Sequence, residues 1–538
     1  MARGPRRDGW NGERSAAPPG SNPWIIASVV SLATFMEVLD TSIANVALRH
    51  IAGGLAASYD EATWVLTSYL IANAITVPIT GWMSEAIGRK RYYMICVAGF
   101  AAASLVCGLA GNLTMLVLAR IVQGLAGGGL QPTTQSILVD TFPPERRGSA
   151  IALFGLTAIL APTIGPTLGG YITDHASWHW IFLINVPVGI FALVMVQVLI
   201  VEPPALQAER RAFLARGLHL DVVGFALIAL GLGSLEYTMD RGQRLDWFHS
   251  QTIWITAVIA GVCLVGFVIW ELCVEEPLLD LRLFKNRNYA ISNVLIMIVG
   301  VILFGTTQFL PQFLQEVMGY TATQAGLAMT VGGFVTILVM PIAGLLSNRV
   351  QPRWLMSVAM VVEIYAMYRQ TTLNSSIPFI YAAEMRLWVA VALPLLFVPI
   401  TNAAYVGLRP DQTGQASAML NVFRNLGGTF GISLVQTFLA QRQQFHQARL
   451  VEHLHPLNAN FNQALARIAQ VLHSQGIPQA AARQAALRQL YSGVTTQAAV
   501  LSYVEVFWVL TVFMVCVTPL VFFLKASPAQ GGGGGGAG

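Results

Sequence analysis

Charged residues are scarce in this chain. They make up 11% of its 538 residues, while 55% are hydrophobic and the mean hydropathy is +0.60. A soluble globular domain carries about 25% charged residues, so the length divides into membrane spans rather than soluble domains. Cysteine is sparse too. Cys96, Cys107, Cys263, Cys273 and Cys516 fall within or at the ends of apolar runs, which argues against a disulfide framework and leaves them as small packing residues. The nine histidines lie mostly in connecting segments without ligand spacing, so no metal site and no cofactor is expected. No Gly-x-x-x-x-Gly-Lys-Ser/Thr stretch occurs, which speaks against ATP hydrolysis, and no nucleophile–base or metal constellation supports a polytopic membrane enzyme. The net charge of +5 could suggest nucleic acid, but the basic residues are dispersed in short loops, so no nucleic-acid partner is expected. Residues 1–23 are polar and rich in Arg, Gly and Pro and read as a disordered N-terminus. No short apolar region with a small-residue cleavage site follows, so the first span is expected to be retained. The closing "GGGGGGAG" reads as a flexible tail over 525–538.

Long apolar runs take the place of these missing features. Fourteen could cross about 30 Å of hydrocarbon at about 1.5 Å per residue: 24–48, 63–83, 92–111, 113–139, 149–172, 180–201, 219–239, 252–274, 290–314, 323–347, 354–370, 378–407, 414–440 and 502–524. The eleventh is the weakest, being short and carrying Glu363 and Arg369. An even count puts both termini on one side. Assigning that side as cytoplasmic places Arg3/Arg6/Arg7/Arg14, Arg89/Lys90/Arg91, Arg146/Arg147, Arg210/Arg211/Arg216, Arg282/Lys285/Arg287, Arg349/Arg353, Arg409 and Lys525 inside. The short outside loops hold only Arg49, Arg241 and Arg244. The expected fold is an all-α polytopic membrane protein. One outside loop is long, 441–501, and Phe461, Leu465, Ile468 and Leu472 recur in it at helical spacing. It reads either as an amphipathic cap on the membrane surface or as a docking surface for a periplasmic partner.

An internal repeat organises the spans. "VPITGWMSEAIGRKRYYM" (Val77–Met94) is echoed by "MPIAGLLSNRVQPRWLM" (Met340–Met356), with Pro78/Pro341, Ile79/Ile342, Gly81/Gly344 and Ser84/Ser347 aligned at an offset of 263. Arg120 and Arg386 stand in a similar relation, 266 apart. The chain therefore divides into a six-helix half (24–201), linkers with two inserted helices (202–289) and a second six-helix half (290–524). Parallel six-span repeats around a central cavity are a secondary-transporter plan.

The first span, "SLATFMEVLDTSIANVAL", carries Glu37 and Asp40 in its middle. A carboxylate at a bilayer centre costs about 2.5–3.5 kcal/mol on insertion scales, and such residues usually face an interior and do work there. Three residues apart, the two lie about 60° around one helix face. Arg120 in the fourth span stays charged at any ordinary pH. A carboxylate beside such a cation favours its ionised form, and one desolvated without it favours the neutral form. Alternation between these surroundings would make a proton carrier. Glu37 could be a second carrier, a contact for cationic drugs, or a neutral hydrogen-bonding residue.

Four stretches carry a family resemblance. "GWMSEAIGRKRYY" resembles the loop signature between the second and third spans of the major facilitator superfamily, matching at Gly81, Gly88, Arg89 and Lys90, with Glu85 in place of Asp and Ala86 in place of Arg. "LARIVQGLAGGG" resembles the fourth-span motif at Arg120, Gln123, Gly124 and Gly128. "GLTAILAPTIGPTLGG" resembles the fifth-span motif of drug/proton antiporters through Pro162, Gly165, Pro166, Gly169 and Gly170. Its prolines and glycines are expected to give a kinkable helix that packs against the other half. "VLDTSIANVAL" is similar to the first-span signature of the fourteen-span, EmrB/QacA-type branch, although Arg49 stands where typical members have Pro.

The resemblance implies two six-helix halves plus two inserted helices, and proton-coupled export of hydrophobic or amphipathic compounds from a bacterial inner membrane. It implies Asp40, Glu37 and Arg120 as the coupling residues, and Gly81, Glu85, Gly88, Arg89 and the fifth-span motif as conformational elements. Gln123, Asn421, Arg424 and Arg386 are the cavity candidates. Glu384 is two residues from Arg386 and cannot face it, Glu363 could neutralise Arg386 or Arg369, and Glu236 reads as structural. EmrB-type proteins also imply a periplasmic membrane-fusion adaptor and a TolC-like outer-membrane channel as partners. The alternative is a dedicated exporter of one metabolite, such as a fatty acid or siderophore.

Overall fold

The computed structural model describes residues 15–18, 22–215, 220–275, 277–452, 454–455 and 457–524. The expected N-terminal disorder before residue 15 and the glycine tail lie outside these. Among the described residues the secondary structure is helical throughout, as lipid requires of a backbone that must satisfy its own hydrogen bonds. The long helices are α1 (Pro23–Gly54), α2 (Trp64–Ile87), α3 (Arg89–Gly108), α4 (Leu113–Thr141, interrupted at Gly128 and Gly129), α5 (Pro144–His175), α6 (Trp180–Leu199) and α7 (Val222–Gly242). They continue as α8 (Gln251–Cys273), α9 (Arg287–Glu316), α10 (Ala322–Arg349), α11 (Pro352–Gln370), α12 (Phe379–Ala404), α13 (Thr413–Val451) and α14 (Gln479–Val517). Several starts are set by side-chain caps. Asn22 accepts from the Trp24 N–H at 3.0 Å, Asn112 from Met115 at 2.8 Å, and Thr321 with Gln324 closes a capping box.

Among the described residues, twelve helices are long and apolar enough to cross a membrane. The other two of the fourteen expected spans, α11 and α13, fall short of that composition because of Arg353, Glu363 and Arg369 in one and Asn421, Arg424 and Asn425 in the other. Both nevertheless pack inside the bundle, α11 against α12 and α14, and α13 against α9, α14 and α2.

The two halves meet along α5–α10 and α2–α13. Further contacts, α4–α13 and α5–α12, join them toward the side where α1 begins, called here the termini side. There Asn348 accepts from the Gly148 N–H at 3.0 Å and donates to Ser149 at 3.0 Å, and Phe154 lies against Phe397. At the opposite side α1 makes no extensive contact with α9 or α10. The inserted helix α7 bridges both halves: Thr67 of α2 donates to Asp240 at 2.5 Å, while Thr429 and Ser433 of α13 donate to Glu236 and the Met239 carbonyl at 2.9 and 2.7 Å. Glu236 is thus a structural tie.

The long loop is a helical hairpin. α13 has 39 residues, about 58 Å at 1.5 Å per residue, so it projects well past about 30 Å of hydrocarbon. A surface helix, Ala459–Ser474, lies on the equally long α14. Leu465 is buried and Phe461, Ile468 and Leu472 are half-buried, on the face the periodicity marks. At the hairpin's base Arg442 and His446 hold Glu505.

Candidate functional site

The centre of the N-terminal half is built on close helix approach. Gly124 and Gly128 of α4 face the backbone of α2 at Tyr69 and Asn73 with no room for a side chain, a small-xxx-small contact. That approach carries Tyr69 and Asn73 of α2 to α1, and sets Arg120 of α4 beside Asp40.

Arg120 and Asp40 form an ion pair at 2.5 Å with both side chains fully buried. Asp40 accepts two further bonds on its other oxygen, from Gln123 at 3.1 Å and from Asn185 of α6 at 2.7 Å. Asn185 is itself tied to Ser104 of α3 at 3.1 Å. Arg120 also donates to the Val65 carbonyl at 3.0 Å and to Gln123 at 2.9 Å, and its guanidinium lies 4.2 Å from the centre of the Tyr69 ring. One guanidinium nitrogen, Nη2, has no hydrogen-bond partner among the described residues. Every group facing Asp40 is a donor, which suits an ionised carboxylate because it only accepts.

Glu37, one turn earlier, is 2% exposed. It accepts from Tyr69 at 3.1 Å, Asn73 at 3.3 Å and Gln131 at 2.7 Å. Gln131 in turn accepts from Arg424 of α13. The carboxylate is therefore linked through one amide to a cation of the other half. Below it toward the termini side, Asn421 donates to Gln135 of α4 at 2.8 Å. Lower still, Arg89 pairs with Asp140 and donates to Thr413 at 3.3 Å, and Thr413 donates to Asp140 at 3.3 Å. These three crossings tie α4 to α13.

The other sequence candidates fall as follows. Gln123, assigned from sequence to a cavity, is wholly buried and hydrogen-bonded between Asp40 and Arg120 instead. Arg386 is also buried and donates to Thr306 at 3.1 Å, Thr307 at 3.3 Å and Thr163 at 3.1 Å. Thr306 stands 266 residues after Asp40, the offset that relates Arg386 to Arg120. The second half thus repeats the first with a hydroxyl where the carboxylate was. Glu384 pairs with Arg369 at 3.3 Å. Gly81 approaches Gln415 of α13, Gly88 adopts a positive φ of 99° at the α2–α3 turn, and Glu85 is half-buried on the last turn of α2.

The fifth-span helix packs against the other half as expected, but its motif glycines do not make that contact. Gly165 and Gly169 receive Ser42 and Ile43 of α1, in the same half. The other half contributes its own glycines, with Gly326 and Gly333 of α10 receiving Thr167 and Leu160 of α5. Pro166 has no N–H for the Pro162 carbonyl, and Ser42 supplies the missing donor at 3.2 Å. Ser42 lies two residues from Asp40, so the proline motif is coupled to the carboxylate helix rather than only to the partner half. Tyr69, Asn73, Gln131, Thr163 and Asn185 were not singled out from sequence. As uncharged polar residues they carry no local signal, although Gln131 lies two residues after the glycine run.

Comparison with known proteins follows this geometry. Residues 30–432 match the Major Facilitator Superfamily. The chain is 38% identical to "Multidrug export protein EmrB" of Escherichia coli K12, covering 96% of this chain and 98% of that protein. It is 34% identical to "Fatty acid resistance protein FarB" of Neisseria gonorrhoeae, covering 95% and 97%. Among solved structures, the proton:xylose symporter XylE matches with a TM-score of 0.57 at 14% identity, over 94% of this chain and 97% of that one. That likeness concerns the fold alone.

Proposed function

The chain belongs to the major facilitator superfamily of membrane transporters, and on that premise we propose that it exports hydrophobic and amphipathic drugs in exchange for protons. The observation that carries this reading is the fully buried Asp40–Arg120 pair in the membrane interior, one helical turn from a second buried carboxylate. Two carboxylates in such a place imply a proton pathway, and the 38% identity to a multidrug exporter supplies the substrate class. The runner-up, a dedicated exporter of one metabolite, is favoured by the 34% identity to a fatty acid resistance protein.

The proposed cycle follows from the hydrogen bonds. With α4–α13 and α5–α12 joined and α1 apart from α9 and α10, this conformation is closed at the termini side, which we assign as cytoplasmic, and faces outward. A proton reaching Asp40 neutralises it, so Arg120 loses its counter-charge and the pair loosens. A proton on Glu37 turns an acceptor-only group into a donor. A proton on the Glu37 oxygen that Gln131 holds displaces that amide donor, which weakens the bridge to Arg424 and lets the halves part at the termini side. A cationic drug arriving from that side could pair with Glu37 in place of the proton, making occupancy by proton and drug exclusive. Gln123 and Asn185 position Asp40. Arg89, Asp140 and Thr413 latch the closed end. The fifth-span motif, seated on α1 through Ser42, carries the change to α10.

The hairpin 441–501 is the candidate contact for a periplasmic membrane-fusion adaptor, and through it a TolC-like channel, with the protein in the bacterial inner membrane and both termini cytoplasmic. The test of the export reading is uptake into everted vesicles under an imposed pH gradient. Hydrophobic cations, neutral drugs and long-chain fatty acids are compared. Gradient-dependent uptake of several drug classes is expected. Uptake of fatty acid alone favours the runner-up, and uptake indifferent to the gradient refutes proton coupling. Deleting the hairpin should abolish whole-cell efflux yet spare vesicle transport. Loss of both would remove the docking role.

A further inference from the structure

Among the buried carboxylates, the cycle above leaves Glu236, Glu271 and Glu363 unused. Glu363 of α11 is fully buried, and neither of its oxygens has a hydrogen-bond partner among the described residues. It lies seven residues before the end of α11 at Gln370, and Arg386 lies seven residues after the start of α12 at Phe379. Both sit about 10 Å from the same end of a helix pair at 1.5 Å per residue. Among the groups of α10, α12, α14 and the turn Thr518–Phe523 that pack on α11, Arg386 is the charge that acts on Glu363. Of the other charges on these helices, Arg369 pairs with Glu384 and Glu505 with Arg442, while Arg349 and Arg353 lie at the far end, beside the α10–α11 turn.

Arg386 is not spent on Glu363. Its two terminal nitrogens are held by Thr306, Thr307 and Thr163, all neutral hydroxyls, and its Nε has no hydrogen-bond partner among the described residues. Thr163 belongs to α5 of the other half, next to Pro162 in the fifth-span motif. A guanidinium keeps its charge when buried, whereas an ionised carboxylate without a single hydrogen bond in an apolar interior is far too costly to persist. Glu363 is therefore neutral in this conformation, whereas Asp40 is held by donors on both of its oxygens.

We propose that Glu363 is a second proton-binding site, in the C-terminal half, emptied when Arg386 changes partner from Thr163 across the interface to Glu363. Opening of the termini side separates α5 from α12 and withdraws Thr163. The Nη2 hydrogen that Thr163 releases turns to the carboxyl one helix away, while Thr307 keeps the other. Glu363 then ionises, its O–H bond breaks, and the proton passes to water on the side that has just opened. Closure restores the Thr163 bond and Glu363 takes up a proton again. Each cycle thus moves one proton in addition to any carried by the first span.

This site rests on the proton-coupled reading, and the test separates the two. Full-length wild type, Glu363→Gln, Thr163→Val and Asp40→Asn are reconstituted in lipid. Infrared difference spectra report the carbonyl stretch of protonated carboxyl groups, and drug-driven proton flux reports protons moved per drug. The expected result is a carboxyl band present in wild type and in Asp40→Asn, lost in Glu363→Gln, and weakened in Thr163→Val, where Arg386 is released toward Glu363. Protons per drug should fall by about one in Glu363→Gln, the loss of one titrating group. A coupled wild type whose band and proton count are unchanged in Glu363→Gln overturns this site alone. A wild type with no drug-dependent proton flux overturns the function proposed above and this site with it. Should Glu363→Gln fail to fold, Thr163→Val decides: an unchanged band overturns the partner exchange.

Discussion

Replacing Asp40 by Asn removes one charge from a pair that has no solvent on either side. Arg120 would keep the Val65 carbonyl and Gln123, at 3.0 and 2.9 Å, but its charge would be left unopposed, and its Nη2 already lacks a partner. The new amide fares poorly as well. Whichever way it turns, one N–H faces donors from Gln123, Asn185 or Arg120. Breaking a buried pair by removing one partner costs about 3–5 kcal/mol. Arg120→Met leaves Asp40 buried with only its two amide donors and should cost a similar amount. The double variant has no buried charge to leave unpaired, so it should recover about 2 kcal/mol or more of the summed losses. The assay is thermal unfolding of the four proteins in one detergent, followed by size-exclusion recovery, with drug transport measured in parallel. All three variants should lose coupled transport, but only the singles should lose much stability. A double variant no more stable than the sum of its parents would refute the ion pair as the energetic link between α1 and α4.

Three further outcomes follow from individual contacts. Arg89→Ala removes the Asp140 pair and the bond to Thr413. A loss of about 1.5–3 kcal/mol for bonds to a charged group should shift the population tenfold or more toward the form open at the termini side, measured by spin-label distances between the ends of α4 and α13. Unchanged distances would remove the latch. Ser42→Ala orphans the Pro162 carbonyl, which should cost about 1–3 kcal/mol and slow transport without altering the pH dependence of coupling, checked by unfolding and vesicle uptake. Gly124→Ala drives a methyl into the Tyr69 carbonyl and Ala72. Overpacking of about 1–3 kcal/mol should pull Tyr69 off Glu37, seen as lost transport at normal expression, whereas Gly53→Ala meets nothing within 4 Å and should be silent.

The features legible in the sequence were those with a local signature. Charges inside apolar runs marked Glu37, Asp40, Arg120 and Arg386, because lipid makes each costly wherever the helix is placed. The 3.6-residue period marked the face of the hairpin helix that rests on α14. Contacts between helices had no such signature. Asn185 reaches Asp40 only because α6 lies beside α1, and nothing in "FLINVPVG" says so. The glycines of the fifth span announced a close partner, expected in the other half, but α1 occupied that face. Glu363 was read as a neutraliser of Arg386 or Arg369. Geometry gave Arg369 to Glu384 and the hydrogen bonds of Arg386 to three threonines, one of them from the other half, while Arg386 remains the charge that acts on Glu363.

The central claim is that proton movement through the first span drives export. Its most direct test is lumenal pH in proteoliposomes bearing an imposed gradient, recorded as a panel of hydrophobic drugs is added to wild type and Asp40→Asn. Drug-triggered proton flux in wild type that disappears in Asp40→Asn is the predicted result. Flux that persists in Asp40→Asn would contradict the assignment of coupling to this carboxylate, and the absence of flux with any drug in wild type would contradict drug/proton exchange itself.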